Sequence, residues 1–347
     1  MKRTPHLILT VDYELFGNGS GCLDACVLQP AERMMQIAER FAAPLTYFAE
    51  VLEFIALAEQ DHEHRARDQL REALARSHDV QLHLHPQWSG AKRKAQGVWQ
   101  LDMDRWRIGD LPLEQVRSLV RQGRQWLESE IATNISGYHC LAFRAGGWCI
   151  QPSEKVIAAL LEEGFEIDST VAPGQWRAGC GEWSDFRAAP ALPFWRVAGD
   201  VCQPSDNGLW EVPIAASNIG RRRHLNALLD GKKQENGGLA PGCIGSYRGP
   251  ARSRWENIRA KIIRLQQLGN VMLDFSTMPA DVLIDVSRQW IERFAGRGEP
   301  IPLVAIAHTK NFTTSSEEAL AQYLAWAKAA GLRFSTFGQW LEAIHGK

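Results

Sequence analysis

Asp12 and Glu14 stand two residues apart in Leu9-Thr10-Val11-Asp12-Tyr13-Glu14, a run with the apolar character of a strand. Residues two apart in an extended chain share a face, so both carboxylates can point into one site. Taken alone, the pair fits either a paired-carboxylate site or a solvated strand end before the turn Phe16-Gly17-Asn18-Gly19. Val80-Gln81-Leu82-His83-Leu84-His85-Pro86 repeats the pattern with imidazoles, His83 and His85 on one face and Val80, Leu82 and Leu84 on the other. Neutral imidazoles with a carboxylate suit Zn²⁺ or a similar divalent ion that keeps a position open for water. His62-Glu63-His64 has the same spacing in a charged, helix-like stretch, where residues two apart do not face each other, and reads as surface. His6, His78, His139, His224 and His345 have no partner visible in the sequence.

Two further runs deliver single ionisable groups. Phe143-Arg144-Ala145-Gly146-Gly147-Trp148 ends an apolar run with an arginine and then two glycines that let backbone approach a ligand. An arginine so placed orients a carboxylate and lowers its pKa, or closes a salt bridge that only holds the loop. Val304-Ala305-Ile306-Ala307-His308-Thr309-Lys310 delivers one histidine at the end of a buried-strand pattern, suited to protonating a leaving group.

These groups need elements that bring them together. Runs rich in β-branched residues predict strands at 6–12, 44–49, 79–85, 138–144, 165–168, 209–215, 270–275 and 302–308. Amphipathic stretches predict helices at 30–41, about 52–76, 112–131, 153–163, 279–295 and 316–330. The alternation is that of βα units around a mainly parallel sheet. Asp12, Glu14, His83, His85, Arg144, Asp168 and His308 all fall at carboxyl ends of predicted strands, the functional face of such folds, so they should converge. The segments 174–208 and 231–256 read as long loops within a single domain spanning 1–347.

Composition narrows the classes. With 347 residues, 45% hydrophobic and 23% charged, the chain is an ordinary globular protein of a size one α/β barrel can occupy. Thirty-nine basic against 40 acidic residues, a net charge of -1, give no electrostatic footprint for nucleic acid. No apolar run reaches membrane-spanning length. The run Leu7–Val11 is cut by Asp12 well short of a signal peptide, and seven cysteines without a C-x-x-C pair suggest neither a disulfide framework nor a zinc ribbon. A cytoplasmic location is expected. Cys22 and Cys26 read as small apolar residues rather than a metal or redox pair.

The runs, in order, resemble the polysaccharide deacetylase family with the NodB homology domain, carbohydrate esterase family 4. Thr10-Val11-Asp12-Tyr13-Glu14 resembles its first motif, whose first Asp is the catalytic base, and His83-Leu84-His85-Pro86 its second, which supplies metal-binding histidines. Phe143 to Trp148 resembles the third, whose arginine holds the base; Ile167-Asp168-Ser169-Thr170 the fourth, whose Asp tunes the catalytic histidine; and Ala307-His308-Thr309-Lys310 the fifth, which carries that histidine. Two departures stand out. Tyr13 occupies the place of the family's second Asp, which moves the metal carboxylate to Glu14, and the usual histidine spacing of four is shortened to two.

The resemblance implies an irregular (β/α)7 barrel and a metal-dependent hydrolase that removes an N-acyl group, acetyl above all, from an amino sugar. Asp12, His308, Arg144 and Asp168 would be catalytic, and Glu14, His83 and His85 would hold one divalent ion, Zn²⁺ being the first choice. A cytoplasmic member would meet nucleotide- or lipid-linked precursors, as in O-antigen or capsule biosynthesis. Two alternatives stay open: an amidase acting on another C–N bond, and a non-catalytic carbohydrate-binding barrel that has lost its metal. The 13 Trp against 5 Tyr fit a sugar site, since indole offers an apolar face and an N–H donor. Trp88 and Trp148, beside the motifs, are expected to stack on substrate, with Tyr13, Gly146, Gly147 and Lys310 as further contacts. Trp176, Trp183, Trp195 and Trp210 would border the same mouth. Trp99, Trp106, Trp126, Trp255, Trp290, Trp326 and Trp340 would only pack.

Overall fold

The computed structural model describes residues 4–346 apart from 95–97, 134, 180–181, 236–257, 259–261 and 264. Seven parallel strands form the main run of its nine-stranded sheet: β1 (His6–Tyr13), β2 (Leu45–Glu50), β3 (Asp79–Leu84), β4 (Ala142–Ala145), β5 (Ile167–Asp168), β6 (Leu209–Glu211) and β7 (Pro302–His308). Their order across the sheet is β6-β5-β4-β3-β2-β1-β7, which sets the last strand beside the first. Every residue of β1 and of β7 is buried, as a strand covered on both faces requires. The sheet curls into a half-barrel. Its open side is bridged where Ala215 N donates to Val304 O at 3.0 Å and Phe275 N to Ile306 O at 2.9 Å.

Nine helices are resolved among the described residues: α1 (Gln29–Glu39), α2 (Val51–Asp61), α3 (Arg65–Ala75), α4 (Leu113–Trp126), α5 (Glu154–Glu162), α6 (Arg221–Glu235), α7 (Ala280–Phe294), α8 (Thr314–Ala329) and α9 (Phe337–His345). None is long and apolar enough to cross a membrane. Helix α4 shows how the sequence fixes a layer. Val116, Leu119, Val120 and Gly123 recur at i, i+3, i+4 and i+7 and form its buried stripe. A Cβ on Gly123 would lie 2.5 Å from Leu82 Cδ1, so glycine lets α4 settle directly on β3, the strand that carries His83.

The expected barrel of βα units is therefore present, with local differences. Strand β4 begins at Ala142 because the amides of Leu141 and Ala142 both donate to the Gln81 side chain, at 2.9 and 2.8 Å, in place of a ladder. The single helix expected over about 52–76 is broken at His62, whose left-handed φ of 53° ends α2. The His62-Glu63-His64 run thus lies at a surface turn. Segment 174–208 is not plain loop: Trp176–Gly179 pairs antiparallel with Glu182–Asp185, and Trp195–Val197 pairs antiparallel with β6. Most of 231–256 lies outside the described residues. Helix α9 was not expected, although Thr336 and Gln339 form a capping box at its start.

Strand register brings the ionisable residues to one level. Asp12 lies opposite His308, Glu50 opposite His83, His83 opposite Arg144, and Asp168 opposite both Phe143 and Glu211. Parallel strands with matched ends make the carboxyl end of the half-barrel a ring of charge.

Candidate active site

A cavity of about 340 Å³ opens at this end, lined in part by Asp12, Glu14, His85, Trp106, Trp148 and His308. A larger groove of about 780 Å³ lies among α2, α3 and α4, but Arg67 and Arg117 there are paired with neighbouring acids, so it reads as a satisfied surface.

Asp12 is the hub. Arg144 Nη1 donates to its Oδ1 at 2.6 Å, and His308 Nε2 stands 3.4 Å from Oδ2. Arg144 has no exposed surface; it also donates to Ser169 O at 2.8 Å and Thr10 Oγ1 at 3.0 Å and lies over the Phe48 ring. Burial alone would raise the Asp12 pKa, but Arg144, then His83 and His308, hold it below the ordinary carboxylate value. Asp12 is thus an ionised carboxylate with a fixed orientation. Burial lowers the His308 pKa, opposed by Asp12.

Glu14, His83 and His85 form a second group, all three buried, with ligand atoms close enough to share one ion. Glu14 Oε2 lies 2.8 Å from His85 Nε2 and 3.5 Å from His83 Nε2. His83 Nδ1 is 2.9 Å from Arg144 O, so its N–H donates there and the Nε2 lone pair points to Glu14. Two buried imidazole nitrogens facing one carboxylate oxygen are the donor set a divalent ion takes, once His85 Nε2 gives up its proton. The residues present fit a metal. The short histidine spacing is no obstacle, because the strand period directs both rings, 5.0 Å apart, to the same Glu14 oxygen. Lys310 donates to Glu14 Oε1 at 2.7 Å, and burial's upward push on Glu14 is overcome by Lys310 and then His85. Asp12, Glu14 and His308 form an overlapping group of possible ligands.

Other expected site residues are placed differently. Tyr13 faces the opposite side of β1, where its hydroxyl donates to Gln69 Oε1 at 2.8 Å and its ring packs on Tyr47 and Phe54; the period of two that aims Asp12 and Glu14 inward aims Tyr13 away. Trp88 is 1% exposed and packs edge-on against Trp99, because the 3₁₀ turn Pro86–Trp88 carries it off the strand. Gly146 does not line the cavity. A Cβ there would fall 2.5 Å from His85 Cγ, so its bareness makes room for the imidazole. Gly147, Trp148 and Lys310 do line it. Gly147 and Trp148 are both left-handed at φ 59°, a conformation a tryptophan rarely adopts and one that gathers at functional sites.

Asp168 does not hydrogen-bond to His308, whose Nδ1 has no partner. Asp168 instead accepts from Thr170 Oγ1 at 2.6 Å, and Thr170 in turn accepts from Ala145 N at 3.0 Å. Burial, then the neighbouring Asp168, pushes the Glu211 pKa well up. A further acid lining the cavity with Asp12 and His308 is Asp274, held by Ser276 and Thr277. Its run Leu273-Asp274-Phe275-Ser276-Thr277 had only the signal of a carboxylate at a strand end.

The tryptophan division is overturned in part. Trp106, expected only to pack, lines the cavity with an indole N–H that has no partner, whereas Trp176, Trp183, Trp195 and Trp210 do not line it. Trp195 donates to Val201 O at 2.9 Å, and Trp210 packs on Phe194 under Arg196. Arg177, from the hairpin in 174–208, enters the cavity wall and stacks on Trp148 at 3.9 Å.

Neither a family model nor a curated protein sequence matches the chain. Solved structures do resemble it. A Mycobacterium smegmatis protein assigned as a polysaccharide deacetylase superposes with a TM-score of 0.54 at 14% identity, over 99% of this chain and 91% of its own. A Parabacteroides distasonis protein assigned as a glycoside hydrolase/deacetylase gives a TM-score of 0.54 at 12% identity, over 97% of this chain and 70% of its own. A Thermococcus litoralis 4-alpha-glucanotransferase gives 0.51 at 11% identity, over 98% of this chain but 40% of its own. These likenesses establish the fold, a deacetylase-type (β/α) barrel.

Proposed function

We propose that this protein is a metal-dependent hydrolase that removes an N-acyl group, acetyl in the first instance, from an amino sugar. The observation that carries the reading is the Arg144–Asp12–His308 array beside the Glu14, His83 and His85 group, at the base of a cavity that Asp12, Glu14, His85 and His308 line. Glu14, His83 and His85 would hold the ion, Zn²⁺ by the nature of the donors, and it would supply Lewis acidity toward a carbonyl and a water.

The chain's own residues divide the remaining work. Asp12, ionised and fixed by Arg144, accepts the proton of the attacking water. His308, neutral by burial and 3.4 Å from Asp12, is placed to receive that proton and pass it to the departing amine. No cation held in advance by Asp168 is needed. The left-handed turn at Gly147 and Trp148 offers backbone N–H groups to the developing oxyanion. Trp106 and Trp148 wall the sugar subsite. By the five-motif resemblance, the substrate would be a nucleotide- or lipid-linked precursor of a bacterial surface polysaccharide such as O-antigen or capsule.

The test is metal analysis of the purified protein followed by assay of acetate and formate release from N-acyl sugars, free and nucleotide-linked. One equivalent of divalent ion and metal-dependent acetate release are expected. Metal binding without release from any sugar would favour another C–N bond. Full purity with no ion, and no rescue by Zn²⁺, would leave only the non-catalytic reading.

The exchange of roles between two tryptophans gives a second prediction. Trp88→Ala should cost about 3–5 kcal/mol of stability with an unchanged KM. Trp106→Phe, losing one donor, should raise KM roughly three- to tenfold with kcat little altered. Denaturant unfolding and steady-state kinetics on the two variants decide it, and a raised KM in Trp88→Ala alone would return the binding role to Trp88.

A further inference from the structure

Gln87 is fully buried beside the Glu14, His83 and His85 group and meets His85 at hydrogen-bond distance. Its Nε2 lies 3.0 Å from His85 Nδ1 and donates to Gly17 O at 3.2 Å, while its Oε1 has no partner. An amide nitrogen only donates, so His85 Nδ1 accepts here and the ring proton sits on Nε2, facing Glu14 Oε2 at 2.8 Å. His83 is in the opposite tautomer, with Nδ1–H donated to Arg144 O and Nε2 bare. One histidine is ready to ligate; the other has its ligand atom capped by a proton. Rotating the Gln87 amide by half a turn reverses this. Oε1 then meets His85 Nδ1, the proton moves to Nδ1, and Nε2 is free, at the cost of the bond to Gly17 O.

We propose that Gln87 is a positioning residue that sets the His85 tautomer, presenting its amide nitrogen in the metal-free protein and its amide oxygen when a divalent ion is bound. The inference rests on the reading of Glu14, His83 and His85 as metal ligands. Outer partners of this kind commonly change metal affinity 10- to 100-fold.

Two substitutions separate a tautomer role from a packing role. Gln87→Glu and Gln87→Leu both lose the donated bond to Gly17 O, so a merely structural residue would make them alike. A carboxylate, however, accepts from Nδ1–H, whereas leucine cannot. Affinity is measured on the full chain with Zn²⁺ against a chromophoric chelator and with Co²⁺ by visible absorption, and the His85 tautomer by ¹⁵N NMR with and without Zn²⁺. Gln87→Leu should bind about 10- to 100-fold more weakly and Gln87→Glu at least as tightly as the parent. His85 should change from the Nε2–H to the Nδ1–H form on loading. Equal weakening in both variants, unchanged affinity in Gln87→Leu, or an Nδ1–H form before loading overturns the proposal. Should Gln87→Leu fail to fold, the Gln87→Glu affinity and the parent's NMR decide alone. A parent that binds neither ion removes the metal reading and this inference together, whereas a parent that binds with indifferent variants removes only this inference.

Discussion

Asp12→Asn should lower turnover by about 10²- to 10⁴-fold, the usual contribution of a positioned base, with the metal still bound and the fold intact. The substitution is nearly isosteric, and the amide oxygen can still accept from Arg144 Nη1, which stands 2.6 Å from the carboxylate now. What disappears is the capacity to take a proton. Because Asp12 sits between Arg144 and His308, the loss also interrupts the path by which His308 becomes an acid. Acetate release and metal content, measured on the same preparation, test the assignment. Parent-level hydrolysis by a metal-loaded Asp12→Asn would show that the water is deprotonated elsewhere.

Arg144→Leu should cost about 3–5 kcal/mol of stability together with activity, because it removes one partner of a buried ion pair and leaves the other charged. Asp12 is 3% exposed and Arg144 0%, so water cannot replace the lost guanidinium. The Ser169 carbonyl and Thr10 hydroxyl would lose their donors as well. Adding Asp12→Leu should recover part of the loss, since the stranded charge goes too. Denaturant unfolding of the two single variants and the double variant measures this coupling. Additive losses would mean that Arg144 acts through packing on Phe48 rather than through Asp12. Activity should fall with Arg144→Leu in any case, as the orientation of Asp12 depends on it.

Much of the site was legible because strands impose a period of two. Asp12 with Glu14, and His83 with His85, were paired by spacing alone, and the structure brings the side chains of each pair to one face of the sheet, where Asp12, Glu14 and His85 line the cavity and His83 lies buried beside them. The same rule, applied to Tyr13, would have excluded it from the substrate side. Trp88 and Trp106 were exchanged because proximity to a motif in sequence does not predict where a turn sends a side chain. Trp88 follows the histidines by three residues and is carried onto Trp99 by a 3₁₀ turn, whereas Trp106 arrives from a separate segment and meets His85 edge-on at 5.8 Å. Asp168 was paired with His308 by motif order, but four strands, β4, β3, β2 and β1, lie between β5 and β7 in the sheet. Asp274, on the segment that bridges β7, stands at the cavity instead.

By itself the sequence determined the alternation of strands and helices, the parallel sheet it demands, and the residue types collected at the strand ends. These follow from local periodicity and burial, which neighbours along the chain already encode. Only the tertiary structure decided which of those residues touch: Arg144 on Asp12, Lys310 on Glu14, Gln87 on His85, Trp106 in the cavity and Asp168 with Glu211. Each such contact joins separate elements or depends on how a turn leaves its strand, so it is set by register, by the curl of the sheet and by close approaches such as Gly146 on His85, none of which has a local signature.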